Sequence, residues 1–158
     1  MPMTPAIQHL DRSGVPHQTH EYEVSEQVGE GYGEAVARAI GLPAPRVFKT
    51  LVARVDDAPV VAVIPVDHRL STKLLAKAVG GKRAALASPE EAERLTGYVV
   101  GGISPFGQKR RLPLYLDRSA DNYSTIAVSG GRRGVQLELT PADLLRVTGG
   151  AFADLTDH

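Results

Sequence analysis

The stretch "RVFKTLVARVDDAPVVAVIPV", residues 46–66, decides the fold. Two runs rich in β-branched residues, 46–55 and 59–66, are separated by Asp56, Asp57 and Ala58, and aspartate tolerates the backbone angles of a tight hairpin turn. The stretch therefore reads as two antiparallel strands. Alternate residues of a strand point the same way, so Lys49 shares a face with Val47 and Leu51. A lysine on an apolar face either snorkels to water or lines a cavity with a partner, and the strand alone leaves both readings open.

Working outward, Thr4 and Pro5 open a first helix that places Ile7 and Leu10 on one face and stops at Gly14. Residues 17–24, "HQTHEYEV", alternate like an exposed strand, and 33–41, "GEAVARAIG", read as a second helix. Ser71 can cap a helix through "TKLLAKAVG". Ser88 can cap another through "SPEEAERLTG", with Glu91 in the capping-box position. Beyond residue 111, "LPLYLD", "STIAVSGG" and "RGVQLELT" read as strands, "TPADLLRVTGG" as a last helix and "AFADL" as an edge strand. Short links at 56–58 and 129–134 favour antiparallel pairing. The expected fold is α+β: one domain over 1–158, with a mixed, curved, barrel-like sheet surrounded by helices.

The 158 residues suffice for a real hydrophobic core. Eighteen basic residues balance eighteen acidic ones, so any polyanion site must be a local patch. There is no cysteine, which removes disulfides, thiolate zinc sites and a thiol nucleophile together. The histidines, at 9, 17, 20, 68 and 158, show no metal-ligand spacing, so neither metal nor cofactor is expected. The first residues lack a secretory pattern and no apolar run approaches a membrane span, which points to a cytoplasmic protein without a membrane partner.

Residues 96–113, "TGYVVGGISPFGQKRRLP", carry the most chemistry. Gly101 and Gly102 let a ligand approach the main chain, and Pro105 restrains Ser104, so the loop can present N–H groups to an oxygen-rich ligand. Lys109, Arg110 and Arg111 follow and could attract a polyanion. Taken alone, the segment reads rather as a tight connection followed by a solvated charge run. There is no G-x-S-x-G elbow, P-loop or dinucleotide fingerprint.

In combination, "VFKTLV", "TGYVVGGISPFGQKRRLP" and "TIAVSGGRRGVQLEL" resemble the YbaK/EbsC family of free-standing aminoacyl-tRNA deacylases, in particular its Cys-tRNA(Pro) branch, from about Thr4 to Asp154. The resemblance implies release of a wrongly attached amino acid from the 3′ end of tRNA. It implies that Lys49 contacts the terminal phosphate or ribose, and that Gly101, Gly102, Ile103, Ser104 and Pro105 hold the ester carbonyl. Tyr22, Tyr32 and Ser129 match positions that line the family's pocket. Gln136 stands where the family carries Asp, keeping hydrogen bonding and losing the charge. The implied mechanism is attack by the substrate's own thiol. The implied partners are mischarged tRNA(Pro), its acceptor stem meeting Lys109, Arg110 and Arg111, and prolyl-tRNA synthetase. Removal of alanine or serine, or non-catalytic binding of tRNA or synthetase, are the alternatives.

Overall fold

Each helix begins where a hydroxyl can take over an orphan N–H, with one exception. In the computed structural model, which describes residues 3–24 and 29–157, Thr4 caps α1 (Pro5–Arg12) by accepting from Ile7 N–H. Ser71, Ser88 and Thr140 do the same for α3 (Thr72–Val79), α4 (Pro89–Thr96) and α5 (Pro141–Thr148). The exception, α2 (Tyr32–Ile40), starts at Gly31 without a side-chain cap. The expected capping box at Ser88 is half made. Ser88 Oγ accepts from Glu91 N–H, but the Glu91 carboxylate turns away to Arg54.

The hairpin is present as β2 (Phe48–Val55) and β3 (Ala58–Pro65), with a turn of only two residues. Asp56 and Asp57 both have positive φ, 49° and 72°, the mirror-image turn that matches strand twist. The Asp56 carboxylate accepts from the N–H groups of Lys82 and Arg83, and these bonds hold its pKa below the ordinary carboxylate value.

The strands form two sheets rather than one closed barrel. β1 (Gln18–Glu21), β7 (Val135–Leu139) and β6 (Ile126–Ser129) make an antiparallel sheet in the order β1-β7-β6. β4 (Ala84–Leu86), β2, β3, β5 (Leu114–Asp117) and β8 (Ala151–Ala153) make the second, mixed because β5 lies parallel to both β3 and β8. "AFADL" is an edge strand as expected. The strand at 84–86 and the 3₁₀ turns at Ala44–Arg46 and Arg118–Asn122 carry no strong sequence signal.

The barrel fails to close for a traceable reason. Among the described residues the edges of the two sheets are bridged at one isolated pair, Val47 and Ala127. Glu138 reinforces that junction, accepting from Thr125 Oγ1, His20 Nε2 and Arg46 Nη2, and these bonds, Thr125 first, lower its pKa. On the other side, β4 pairs with β2 only from Ala53 to Val55. Val52 carbonyl accepts from Ala87 N–H and Asp56 N–H donates to Arg83 carbonyl, so even-numbered residues of β2 point their amides toward β4. One step further, the register would place Pro89 opposite Thr50. Proline has no N–H and here begins α4, so the ladder stops and the edge of β2 around Thr50 stays open.

The largest core cluster packs Phe48, Val52, Val61, Val63 and Leu116 against α1, α4, α5 and the apolar face of β6 and β7. No helix among the described residues is long and apolar enough to cross a membrane.

Candidate functional site

The open edge of β2 is the floor of a cavity of about 560 Å³. Its walls come from β2 (Phe48 to Val52), the start of α2, the segment after β3 (Val66 to Arg69), Leu86 at the end of β4 with Ala87 behind it, the loop after α4, and Ser129 and Gln136. The gap between the sheets is thus the space a ligand can use.

Lys49 reaches this cavity, half-buried among apolar neighbours, and makes no direct ion pair among the described residues. Burial pushes its pKa down, Glu34 and Asp67 pull it back up, and Arg69 opposes them. An unpaired, partly desolvated ammonium facing a void is poised for a ligand anion.

The 101–107 loop is pinned at many points, so its main chain is preorganised. Val100 N–H donates to Glu93 (2.8 Å), Arg133 donates to Val100 carbonyl (3.1 Å), and Tyr98 OH donates to Phe106 carbonyl (2.5 Å). Burial raises the Tyr98 pKa to about 12, which keeps that donor protonated. Gly107 N–H donates to His9 Nδ1, which must be unprotonated to accept. Burial, then Arg12 and Arg111, lower the His9 pKa in the same sense. Gly102 must be glycine, since a Cβ there would sit 2.7 Å from the Arg132 backbone.

Within the loop the donors divide. Gly102 N–H is used by Val99 carbonyl, whereas the N–H groups of Gly101, Ile103 and Ser104 have no acceptor among the described residues. Gly101 and Ile103 line the cavity; Gly102, Ser104 and Pro105 lie behind it. Ser104 is fully buried, its Oγ accepting from Phe106 N–H and its carbonyl from Gln108. Ser104 is therefore a loop-shaping residue, with its hydroxyl turned inward.

Of the other expected residues, Tyr32, Ser129 and Gln136 line the cavity. Tyr22 stands behind them, its hydroxyl accepting from Gln136 Nε2 at 3.3 Å. Burial, followed by Tyr22, raises the Tyr32 pKa, while Arg133 pulls it down. Lys109, Arg110 and Arg111 are exposed and do not line the cavity; Arg111 donates to Thr148 carbonyl. Sequence reasoning missed Thr50, Glu34, Asp67 and His68, because none stands in a recognisable motif of its own. His68 Nδ1 lies 2.8 Å from Asp67 Oδ1, and both line the cavity.

A larger open groove beside β4, about 1100 Å³, is a weaker candidate despite its size. Its central Arg54 is saturated by the Glu91 carboxylate and Asp57 carbonyl, and Asp56 is spent on backbone N–H groups. Among the described residues no group of three His, Cys, Asp or Glu could hold a metal ion; His158 lies outside them.

A family model described as "Aminoacyl-tRNA editing domain" matches residues 31–147, which span every wall of the cavity from α2 onward. This chain belongs to the YbaK/EbsC family of aminoacyl-tRNA editing domains. Along 97% of its length the editing domain is 42% identical to the Enterococcus faecalis protein named "Putative Cys-tRNA(Pro)/Cys-tRNA(Cys) deacylase EbsC", covering 93% of it. It is also 33% identical to the Escherichia coli "Multifunctional Ser/Thr-tRNA deacylase ProXp-y", over 80% of this chain and 79% of that protein. A crystal structure described as "a putative trans-editing enzyme for prolyl tRNA synthetase" superposes with a TM-score of 0.83 at 27% identity, covering 99% of this chain and 100% of the other.

Proposed function

We propose that this editing domain acts in trans on tRNA(Pro) mischarged with cysteine, cleaving the aminoacyl ester. The observation that carries the reading is convergence: an unpaired Lys49 and the free N–H groups of Gly101 and Ile103 meet at one cavity of about 560 Å³, roomy enough for an aminoacyl group and part of the sugar that carries it. An aminoacyl ester is already activated, so orientation and stabilisation of the developing oxyanion suffice for catalysis. Lys49 contacts the terminal phosphate or ribose. The Gly101 and Ile103 N–H groups receive the carbonyl oxygen, with Gly102, Ser104 and Pro105 holding the loop in shape. Tyr22, Tyr32, Ser129 and Gln136 complete the aminoacyl pocket.

In the step itself the cysteinyl sulfur bonds to its own carbonyl carbon, the C–O bond to the ribose breaks, and the thiol proton passes to the ribose oxygen. The products are tRNA with a free terminal hydroxyl and a cyclic thiolactone, which water opens to cysteine. The kinship to the Enterococcus protein supports cysteine as the amino acid. A deacylation assay with Cys-, Ala- and Pro-tRNA(Pro) tests the reading: cysteine is released and proline spared. Release of alanine ahead of cysteine would overturn it.

A second reading has its own support. His68 and Asp67, 2.8 Å apart at the cavity wall, are an imidazole–carboxylate pair of the kind that serves water attack. Water attack needs no thiol and would suit removal of serine or threonine, the activity named for the Escherichia coli relative.

Lys109, Arg110 and Arg111, exposed beside the loop, are proposed to meet acceptor-stem phosphates, and prolyl-tRNA synthetase is proposed as the protein that hands over the tRNA. Neutralising all three cations should weaken tRNA binding and reduce the salt slope of log K by roughly 2 to 3, about 0.9 per lost phosphate contact. An unchanged slope in a salt titration would make the run a solvated surface.

A further inference from the structure

Two buried polar atoms in the cavity wall have no hydrogen-bond partner: Thr50 Oγ1 and Gln136 Oε1. Their residues are 8% and 5% exposed, and both line the same cavity. Leaving such atoms unpaired costs free energy that a folded protein ordinarily avoids, so each calls for an explanation. Thr50 adds two main-chain vacancies. Its main-chain N–H and C=O face the open side of β2, where Pro89 ends the ladder. Gln136 Nε2 is committed to the Tyr22 hydroxyl, which leaves the amide oxygen as an acceptor only.

Most of the unmet need is for donors: Gln136 Oε1 and Thr50 C=O can only accept and Thr50 Oγ1 can also accept, while Thr50 N–H alone needs an acceptor. In an aminoacyl ester one atom carries several donors, the α-amino nitrogen. We propose that Thr50 is a substrate-reading residue, its hydroxyl and open carbonyl edge holding the α-amino group of the aminoacyl ester together with Gln136 Oε1. This rests on the cavity being the aminoacyl site. It assigns to Thr50 a role distinct from that of Lys49, whose side chain leaves the opposite face of the strand. A site whose buried acceptors are satisfied only by the right ligand discriminates strongly against an analogue lacking the donor.

The test compares two esters on the same tRNA(Pro): cysteinyl, and 3-mercaptopropionyl, which keeps the thiol and carbonyl and lacks the amine. The wild type should favour the cysteinyl ester by roughly 10-fold or more in kcat/KM, the worth of hydrogen bonds to a charged group. Thr50→Val, which keeps the shape and suits a strand, should lose most of that preference by slowing the cysteinyl ester alone. Thr50→Ser should restore it. Equal slowing on both esters, or no change on either, would overturn the assignment while leaving the deacylase reading intact. Failure of the wild type to release either acyl group would sink the deacylase reading and this one with it.

Discussion

Lys49→Ala is expected to lower deacylation by roughly 10-fold or more, because a lost charged hydrogen bond to phosphate or ribose is worth about 1.5–3 kcal/mol. The fold should survive. Lys49 has no ion pair to break among the described residues, and its burial already works against its charge. A lysine whose folded pKa is depressed penalises the folded state while it is protonated, and that penalty fades as pH rises through the folded value. Alanine removes the penalty, so the melting temperature near neutral pH should not fall by more than a few degrees, with the lost packing of the stem as the opposing effect. The same shift predicts an activity profile for the wild type. If the ammonium is needed, the enzyme-catalysed rate over the spontaneous background should decline at lower alkaline pH than a free lysine, near 10.4, would give. A folded variant with undiminished turnover would remove Lys49 from the site.

What could be read in the sequence follows from how local each signal is. The hairpin at 46–66 is legible because β-branched runs and a two-aspartate turn act within about twenty residues, and the caps at Thr4, Ser71 and Ser88 are local hydrogen bonds. The gap that makes the cavity was not. It depends on Pro89 arriving opposite Thr50, a coincidence of register between segments about forty residues apart, visible only once β4 is placed. Hence the expectation of a barrel, and the correction to two sheets joined at Val47 and Ala127. Lys49 stood out as a charge in an apolar strand, whereas Thr50 did not, since threonine is ordinary in a strand and its missing partner is a fact of three dimensions. The glycine loop announced itself, but which of its amides are spoken for depends on Val99 and on the Arg132 backbone against Gly102.

On one tRNA(Pro) charged with cysteine or with serine, the seryl ester should be cleaved slower by roughly two orders of magnitude or more, because an alcohol is far less ionised than a thiol near neutral pH and needs a base the thiol does not. The protein supplies little to compensate if the substrate is its own nucleophile. It has no cysteine, and the Ser104 hydroxyl is buried in its own turn. Ser129, the hydroxyl that does line the cavity, accepts from Gly131 N–H at 3.2 Å and has no histidine bonded to it among the described residues. Ser129→Ala should therefore cost less than removal of the substrate thiol. Product analysis separates the routes further. A cyclic thioester should appear in rapidly quenched samples before free cysteine accumulates. His68→Ala should barely affect the cysteinyl ester, because an intramolecular thiol replaces the activated water. Comparable rates on the two esters, with free cysteine and no cyclic thioester at the earliest times and a large loss in His68→Ala, would instead assign the reaction to water activated by the His68–Asp67 pair. The oxyanion would then fall to the same Gly101 and Ile103 amides. Those donors serve either nucleophile, since both attacks place the developing charge on the same carbonyl oxygen.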